Sequence, residues 1–316
     1  MRAAVYRAHG DPDVVRIEEV PEPTAGPGEV SIEVCAAALN PKDVLLRKGR
    51  FALLAGRRFP KRVGFDVAGI VRDLGPGVDR ALLGARVMGF VDGWRGTRGT
   101  LAERVVLPAA HLARVGDGVD LVRAAGIPLA GSTALAALRD HGRVGRGQRV
   151  CIVGASGGVG VHAVQIAKLL GAHVTAVSSA ANADFVRALG ADRTVDYASE
   201  DPFAERGAFD VVVDAFGRTR LDQASAGLVA RGTFVAIVPS RGAVLDVLGA
   251  VVGKRRARFV LVRPRALDLE LLGRWAADGA LLPPVDFEFT FDRIPDAMRR
   301  VETRRARGKV VVRVSA

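Results

Sequence analysis

Hydrophobic and polar positions follow two different patterns along the chain. Over residues 1–120, apolar runs at 14–20, 30–37, 67–74, 86–90 and 102–107 are broken by turn-rich stretches such as PEPTAGPGE, GPGVD and DGWRGTRG. Strands at that spacing, punctuated by Gly and Pro, predict a β-rich, barrel-like module. From Leu121 the pattern changes. A helix-forming run over 121–142 leads into VCIVGA, HVTAVSS, RTVDY, FDVVVDAFG and TFVAIVPS, alternating with helical runs such as VHAVQIAKLLGA and ANADFVRALGA. Strand cores without polar alternation, such as CIV, VVV and FVAIV, are expected where helices cover both faces, so this half predicts a doubly wound parallel sheet. Residues 254–264 are expected to supply one more strand. The rest, two helices and two or three strands, is too short for a third domain and is expected to return to the first module, leaving the sheet as an insertion. The predicted division is 1–120 with 264–316 for the β-rich domain and 121–263 for the sheet.

Composition changes this picture in two places. With 316 residues, 49% hydrophobic and 25% charged, the chain buries a substantial core, which excludes a disordered or fibrous protein. Its 46 basic and 34 acidic residues leave a formal charge of +12, which raises nucleic acid, an anionic membrane or an anionic ligand as partners. The surplus is nearly all arginine spread along the chain. Aromatic residues make up 5% and none interleave the basic runs 254–258 and 304–309, so base stacking has little material and the charge reads as mostly compositional. The two cysteines, Cys35 and Cys151, lie in apolar runs and are expected to be buried free thiols in a reducing compartment. The first residues carry no signal-peptide core and no run reaches the length of a membrane span, so a cytoplasmic location is expected.

The chemistry concentrates in residues 150–160, VCIVGASGGVG, followed by a helical run. A buried strand, a tight turn and a helix whose first N–H groups are unpaired make a phosphate site. Gly157 and Gly158 let backbone approach a pyrophosphate, and Gly160 lets the helix pack on the sheet, although Ala155 stands where the usual fingerprint has its first glycine. The same letters spell a GxSxG elbow around Ser156. A hydrolase needs a later acid and then a histidine, and the only histidines beyond Ser156 are His162 and His173, in or just after the first helix, so that reading is excluded. The second strand ends in Ser178-Ser179, then Ala180, Ala181 and Asn182, with no carboxylate before Asp184. Hydroxyls and an amide suit a 2′-phosphate where a carboxylate would repel it, so NADP(H) is expected over NAD(H), with Arg193 the nearest candidate cation.

Assembled in order, the motifs AAALNPKD (36–43), GFDVAG (64–69), GSTALA (131–136), ASGGVG (155–160), GAD (190–192) with Asp196-Tyr197, and RGKV (307–310) resemble the medium-chain dehydrogenase/reductase superfamily, in its zinc-independent quinone oxidoreductase-like branch. The resemblance covers essentially the whole chain. It implies a GroES-like β-rich catalytic domain with an inserted Rossmann domain. The implied activity is NADPH-dependent hydride transfer to a quinone or other electron-poor α,β-unsaturated carbonyl, by a homodimer.

By the same resemblance Asn40 is the catalytic residue facing nicotinamide and substrate, and Thr133 contacts the nicotinamide amide. Ser156, Gly157, Gly158 and Val159 follow the pyrophosphate. Ser178, Ser179, Asn182 and Tyr197 surround the 2′-phosphate, Phe216 and Ile237 flank the nicotinamide half, and Lys309 returns to the cofactor cleft. The loop 47–60 is expected to border the substrate pocket. Zinc-dependent relatives carry Cys near Asn40, Gly-His-Glu where this chain has Gly64-Phe65-Asp66, and a four-cysteine lobe near 89–99, so no metal site is expected. The only tyrosines, Tyr6 and Tyr197, offer no general acid. Two other functions fit the same scaffold: a nucleic-acid-binding protein and an NADPH-sensing protein without turnover.

Overall fold

The computed structural model describes residues 1–56, 58–93, 98–238, 246 and 256–315, without the side chains of Leu53 and Leu54. The described chain divides into two compact units, one of residues 1–129, 263–279 and 283–316, the other of 130–262 and 280–282. The first unit runs to Leu129 rather than 120 because the helix Leu121–Ala125 buries Val122, Ala124 and Ala125 against the first unit's strands.

In the first unit the strands are β1 (Arg2–Tyr6), β2 (Val15–Glu19), β3 (Glu29–Leu39), β4 (Lys61–Arg62), β5 (Asp66–Leu74), β6 (Arg86–Phe90), β7 (Arg104–Pro108) and β8 (Leu112–Arg114). In the second they are β9 (Arg149–Val153), β10 (His173–Ser178), β11 (Arg193–Asp196), β12 (Phe209–Asp214), β13 (Leu228–Ala236) and β14 (Arg256–Phe259). The chain then returns with β15 (Val285–Thr290) and β16 (Lys309–Arg313), which join the first unit's main sheet in the order β15-β16-β3-β5-β6-β8, with β7 also on β3. A smaller sheet has the order β2-β1-β4. The core of this unit is the apolar set from β3, β5 and β16, including Ile32, Val34, Val67, Val71, Val310 and Val312, closed by Ile294 and Met298.

The second unit's sheet has the order β11-β10-β9-β12-β13-β14, and every pair is parallel. The order reverses beside β9, so the carboxyl end of β9 is the switch point where an open parallel sheet binds ligands. Val150, Cys151, Ile152, Val212, Val213 and Phe234 are buried because helices cover both faces. Helix α1 (Pro41–Arg47) belongs to the first unit and helix α2 (Gly160–Leu169) to the second.

Two expectations are corrected. Cys151 is buried, and burial pushes its thiol pKa up. Cys35 is only half-buried, at a register irregularity of β3 against β5 between Val34 and Ala36. Arg47 does not border a pocket. Its side chain is fully buried, donating to the Gly10 carbonyl and pairing with Glu302, which also takes Lys48 at 2.9 Å. Residues 57, 94–97, 254 and 255 of the predicted pocket loop, the region 89–99 and the basic run lie outside the described residues.

Candidate functional site

Each unit carries its own cluster. In the second, five loops leave the carboxyl ends of neighbouring strands. β9 ends in a turn where Gly154 takes φ +77°, the left-handed region, while Gly154 N–H and Ala155 N–H both donate to the Val177 carbonyl at 3.0 and 3.1 Å. Gly154 therefore does the work assigned to the missing first glycine, one residue before Ala155. A Cβ on Gly160 would lie 2.2 Å from the Gly154 carbonyl oxygen and 2.7 Å from Ala155 Cα, so only glycine lets α2 start against the turn. The backbone of Gly157, Gly158 and Val159, half-buried, is thus left leading into a ten-residue helix whose amino end favours an anion.

Around this turn lie Ser156, Asn182 and Phe216 of the predicted cofactor residues, with Ser178 and Tyr197 at the ends of the next two strands. Asn182 Nδ2 donates to Ser156 Oγ at 3.1 Å, joining the loops after β9 and β10. Ser178 is buried with its hydroxyl on the Ser179 carbonyl at 3.2 Å, and the Tyr197 N–H donates to the Ser178 carbonyl at 3.2 Å while the Tyr197 ring is 65% exposed. Phe216 packs on the bare face of Gly154, where a Cβ would lie 2.8 Å from Phe216 Cβ. Thr133 is buried in the helix Pro128–Leu135.

Asp214, which sequence reasoning missed, organises the far side of this cluster. Its buried carboxylate accepts from the N–H groups of Phe216, Gly217 and Thr219 at 2.8–2.9 Å, and its carbonyl accepts from Ile237 N–H at 3.1 Å. Burial pushes its pKa up against those bonds. An aspartate closing an apolar strand and followed by a glycine was the available signal.

Arg193 does not reach the ribose end. Ser178 pairs with Asp196, three residues further along β11, so Arg193 lies about 10 Å back along the strand; its guanidinium faces Glu200 at 3.7 Å. Asp184 pairs with Arg187 along its own helix. Other arginines collect at the opposite end of the sheet, where His141, Arg143, Arg231, Arg256 and Arg258 line a cavity of about 550 Å³ together with Asp210.

In the first unit the register explains the cluster. β16 pairs antiparallel with β3, Val310 opposite Leu39, so Lys309 falls opposite Asn40 at the strand end. β5 lies on the other side of β3 and begins at Asp66. Lys309 Nζ donates to Asn40 Oδ1 at 2.6 Å and to Asp66 Oδ2 at 3.0 Å, and Asn40 Nδ2 donates to Asp66 Oδ2 at 2.9 Å. The other Asp66 oxygen accepts from Leu129 N–H at 2.7 Å. Asn40, Asp66 and Lys309 are all buried. Asn40 also precedes α1, and its N–H donates to Asp43 Oδ2 at 2.9 Å while Gly64 N–H donates to Asp43 Oδ1 at 2.9 Å. Full burial pushes the Asp43 pKa up to about 6 despite those two bonds.

Beside this network stands Lys42. Its Nζ donates to the Gly93 carbonyl at 2.7 Å and lies 4.0 Å from the centre of the Phe65 ring. Burial lowers its pKa to about 8, with Asp43, Asp92 and Asp66 acting in the other direction.

The second unit's cluster fits a nucleotide cofactor, and the first unit's does not fit a metal. The glycine turn and its rim of hydroxyls and one amide suit a dinucleotide with a 2′-phosphate. A zinc ion does not fit Asn40, Phe65 and Asp66: the amide and carboxylate oxygens already share an ammonium, and a phenyl ring has no lone pair to give. Among the described residues no group of three or more His, Cys, Asp or Glu could hold a metal ion.

A GroES-like module joined to a parallel sheet with this turn defines a nucleotide-dependent dehydrogenase or reductase. The alcohol dehydrogenase GroES-like domain matches residues 26–117, and a family described as zinc-binding dehydrogenase matches 189–312. The chain is 31% identical to the chloroplast envelope quinone oxidoreductase homolog of Arabidopsis thaliana, over 99% of this chain and 98% of that one. It is 34% identical to the chloroplastic NADPH-dependent alkenal/one oxidoreductase of the same plant, over 99% of this chain and 79% of that one. The solved quinone oxidoreductase from Coxiella burnetii superposes with a TM-score of 0.93 at 30% identity, covering 100% of this chain and 99% of that one. The chain belongs to the medium-chain dehydrogenase/reductase superfamily, in its quinone oxidoreductase-like branch.

Proposed function

We propose that this protein is an NADPH-dependent reductase of quinones and of electron-poor α,β-unsaturated carbonyls. The observation that carries the reading is the buried Lys309 ammonium shared by Asn40 and Asp66. Those oxygens cannot serve a Lewis acid that would lower an alcohol's pKa, so the acceptor must already be electron-poor. The named activities of the two plant relatives are of this kind.

When bound, the nicotinamide supplies hydride. The chain's own residues hold and orient: Gly157, Gly158 and Val159 with the amino end of α2 take the pyrophosphate, Ser178, Ser179, Asn182 and Tyr197 the 2′-phosphate, and Thr133, Phe216 and Ile237 the nicotinamide half. Lys309 and Asp66 fix the Asn40 amide, whose Nδ2 hydrogens go to Asp66 and the Ala38 carbonyl, leaving one Oδ1 lone pair to accept from an N–H or O–H group of the bound molecules. A homodimer is supported by β14 standing last in its sheet among the described residues, and the reducing compartment implied by two unpaired cysteines supports a cytoplasmic location. No described helix is long and apolar enough to cross a membrane.

The test is NADPH oxidation against a panel of quinones, alkenals and enones, with simple alcohols plus NADP⁺ and with NADH as controls. Turnover of the electron-poor acceptors is expected; alcohol oxidation with none of them reduced would overturn the reading. A second reading, polyanion binding, is favoured by the cavity lined by Arg143, Arg231, Arg256 and Arg258. It requires RNA binding that falls steeply with salt and survives saturating NADPH.

A further inference from the structure

We propose that Lys42 is the proton donor for carbon in the reduction of α,β-unsaturated carbonyls, and that quinone reduction does not need it. The inference rests on the reading above and deepens it. Hydride added to the β-carbon of an enone breaks the C=C π bond and leaves its electrons on an enolate. Completing the reaction then requires a new C–H bond at the α-carbon. Hydride added to a quinone leaves instead a hydroquinone anion, whose oxygen takes its proton from water without help. An enzyme that handles both acceptors needs a donor for only one of them.

Around the Asn40 network, the described groups that could supply that proton are Tyr6, Lys309, Asp43 and Lys42. Tyr6 is buried in β1, and burial pushes its pKa up, out of reach of a proton transfer at neutral pH. Lys309 is committed to Asn40 and Asp66, and the Asp43 carboxylate accepts two backbone N–H groups. Lys42 lies two residues beyond Asn40 on α1, with its ammonium between the Gly93 carbonyl and the face of Phe65, the residue preceding Asp66. Lys42 and Asn40 share the start of α1, and the Asp66 carboxylate that holds the Asn40 amide also acts on the Lys42 charge. The aromatic face and the carbonyl hold the ammonium in place. Burial outweighs the carboxylates of Asp43, Asp92 and Asp66 around it, so the group remains protonated at pH 7 and gives up its proton more readily than an ordinary lysine. In the step, one Lys42 N–H bond breaks as the α-carbon C–H bond forms. The neutral amine left behind is reprotonated by solvent.

The experiment uses the whole chain with wild type, Lys42→Gln and Lys42→Arg, each assayed with a 2-methyl enone and with a simple quinone in D2O. Gln removes the charge; Arg keeps it and does not release a proton at neutral pH. Both variants should lower kcat for the enone about 100-fold and that for the quinone less than about 10-fold. Wild type should place deuterium on one face of the α-carbon, and both variants should lose that preference. Wild-type enone turnover should fall as pH rises through about 8, a limb absent from Lys42→Gln. In cofactor-free wild type, competitive acylation of Lys42 should show a midpoint near 8 rather than the ordinary lysine value of about 10.4. Parallel losses for the two acceptors, rescue by Arg, or an unchanged α-face would each overturn the assignment. So would an ordinary acylation midpoint. A wild type inert to every acceptor overturns the functional reading and this inference with it; one active on enones and matched by Lys42→Gln overturns the inference alone.

Discussion

In the second unit, the groups that would meet a nucleotide come from short consecutive stretches, each at the end of a parallel strand: residues 154–160, 178–182, 197 and 214–217. In the first unit, Asn40, Asp66 and Lys309 meet across as many as 269 positions of sequence. The first arrangement is backbone made available by glycine. The second is side-chain charge buried by strand register. A defect in the turn should therefore act locally, on cofactor binding, whereas a defect in the buried network should act on the whole first unit.

Lys309→Met gives the largest expected effect. It leaves the Asp66 carboxylate buried without its cation, which costs about 3–5 kcal/mol. Asp66→Asn combined with Lys309→Met removes both charges, keeps an acceptor for Leu129 N–H, and should recover most of that loss. Denaturant unfolding of the single and double variants measures the coupling. If the single variant loses less than about 1 kcal/mol, burial of the pair is not what sets the stability of this unit.

Asp43 sharpens the same point through pH. Its folded pKa is raised from 3.8 to about 6, so between those values the unfolded chain releases the proton first. Stability is then greatest below about pH 4 and falls as pH rises through about 6, by about 3 kcal/mol. Surface carboxylates such as Glu18 and Glu33, held low by Arg7 and Arg72, act in the opposite sense. The quantity to measure is therefore the difference between wild type and Asp43→Asn at pH 4 and pH 7. A difference independent of pH would remove Asp43 from this account.

Gly160→Ala tests the turn. Its Cβ has no space against the Gly154 carbonyl, and forcing it in costs about 1–3 kcal/mol, accompanied by a loss of NADPH affinity by at least about tenfold (1.4 kcal/mol). Gly145→Ala in the same unit meets nothing within 4 Å and should stay within about 0.5 kcal/mol. Equal behaviour of the two would mean that the close approach is not what the turn requires.

The contrast also explains what could be read in advance. The alternation of strands and helices, the return of the chain with β15 and β16, and the nucleotide turn were legible because each depends on local apolar spacing or on adjacent glycines. Even there the left-handed position fell at Gly154, since letters alone do not say which of two small residues takes a positive φ. The first unit's network was not legible in that way. Asn40 and Lys309 were each named through family motifs. Their contact, and the role of Asp66 between them, depends on Lys309 falling opposite Asn40 in an antiparallel register set by the whole sheet. Lys42 stood inside a quoted motif, but its burial against Phe65 and Gly93 is a tertiary fact. Arg193 misled for the converse reason: nearness in sequence to the second strand's end is not nearness in space when the next strand runs parallel from the other end.

The smallest effect concerns the nucleotide's ribose end. The rim formed by Ser156, Ser178, Ser179 and Asn182 carries hydroxyls and one amide, and the nearest carboxylate in sequence, Asp184, is engaged by Arg187 on the surface. Ser179→Asp places a carboxylate where the second strand gives way to its loop. It should repel a 2′-phosphate and bond the ribose hydroxyls, lowering the NADPH-to-NADH affinity ratio by about tenfold, or 1.4 kcal/mol. Because one partner in this repulsion is close to solvent, the change should shrink as salt rises from 0.01 to about 0.5 M. Titration of both nucleotides at the two ionic strengths separates charge from shape. A ratio that moves without salt dependence would mean that the new side chain merely obstructs the loop, and the preference for NADPH would then have to lie in residues other than these four.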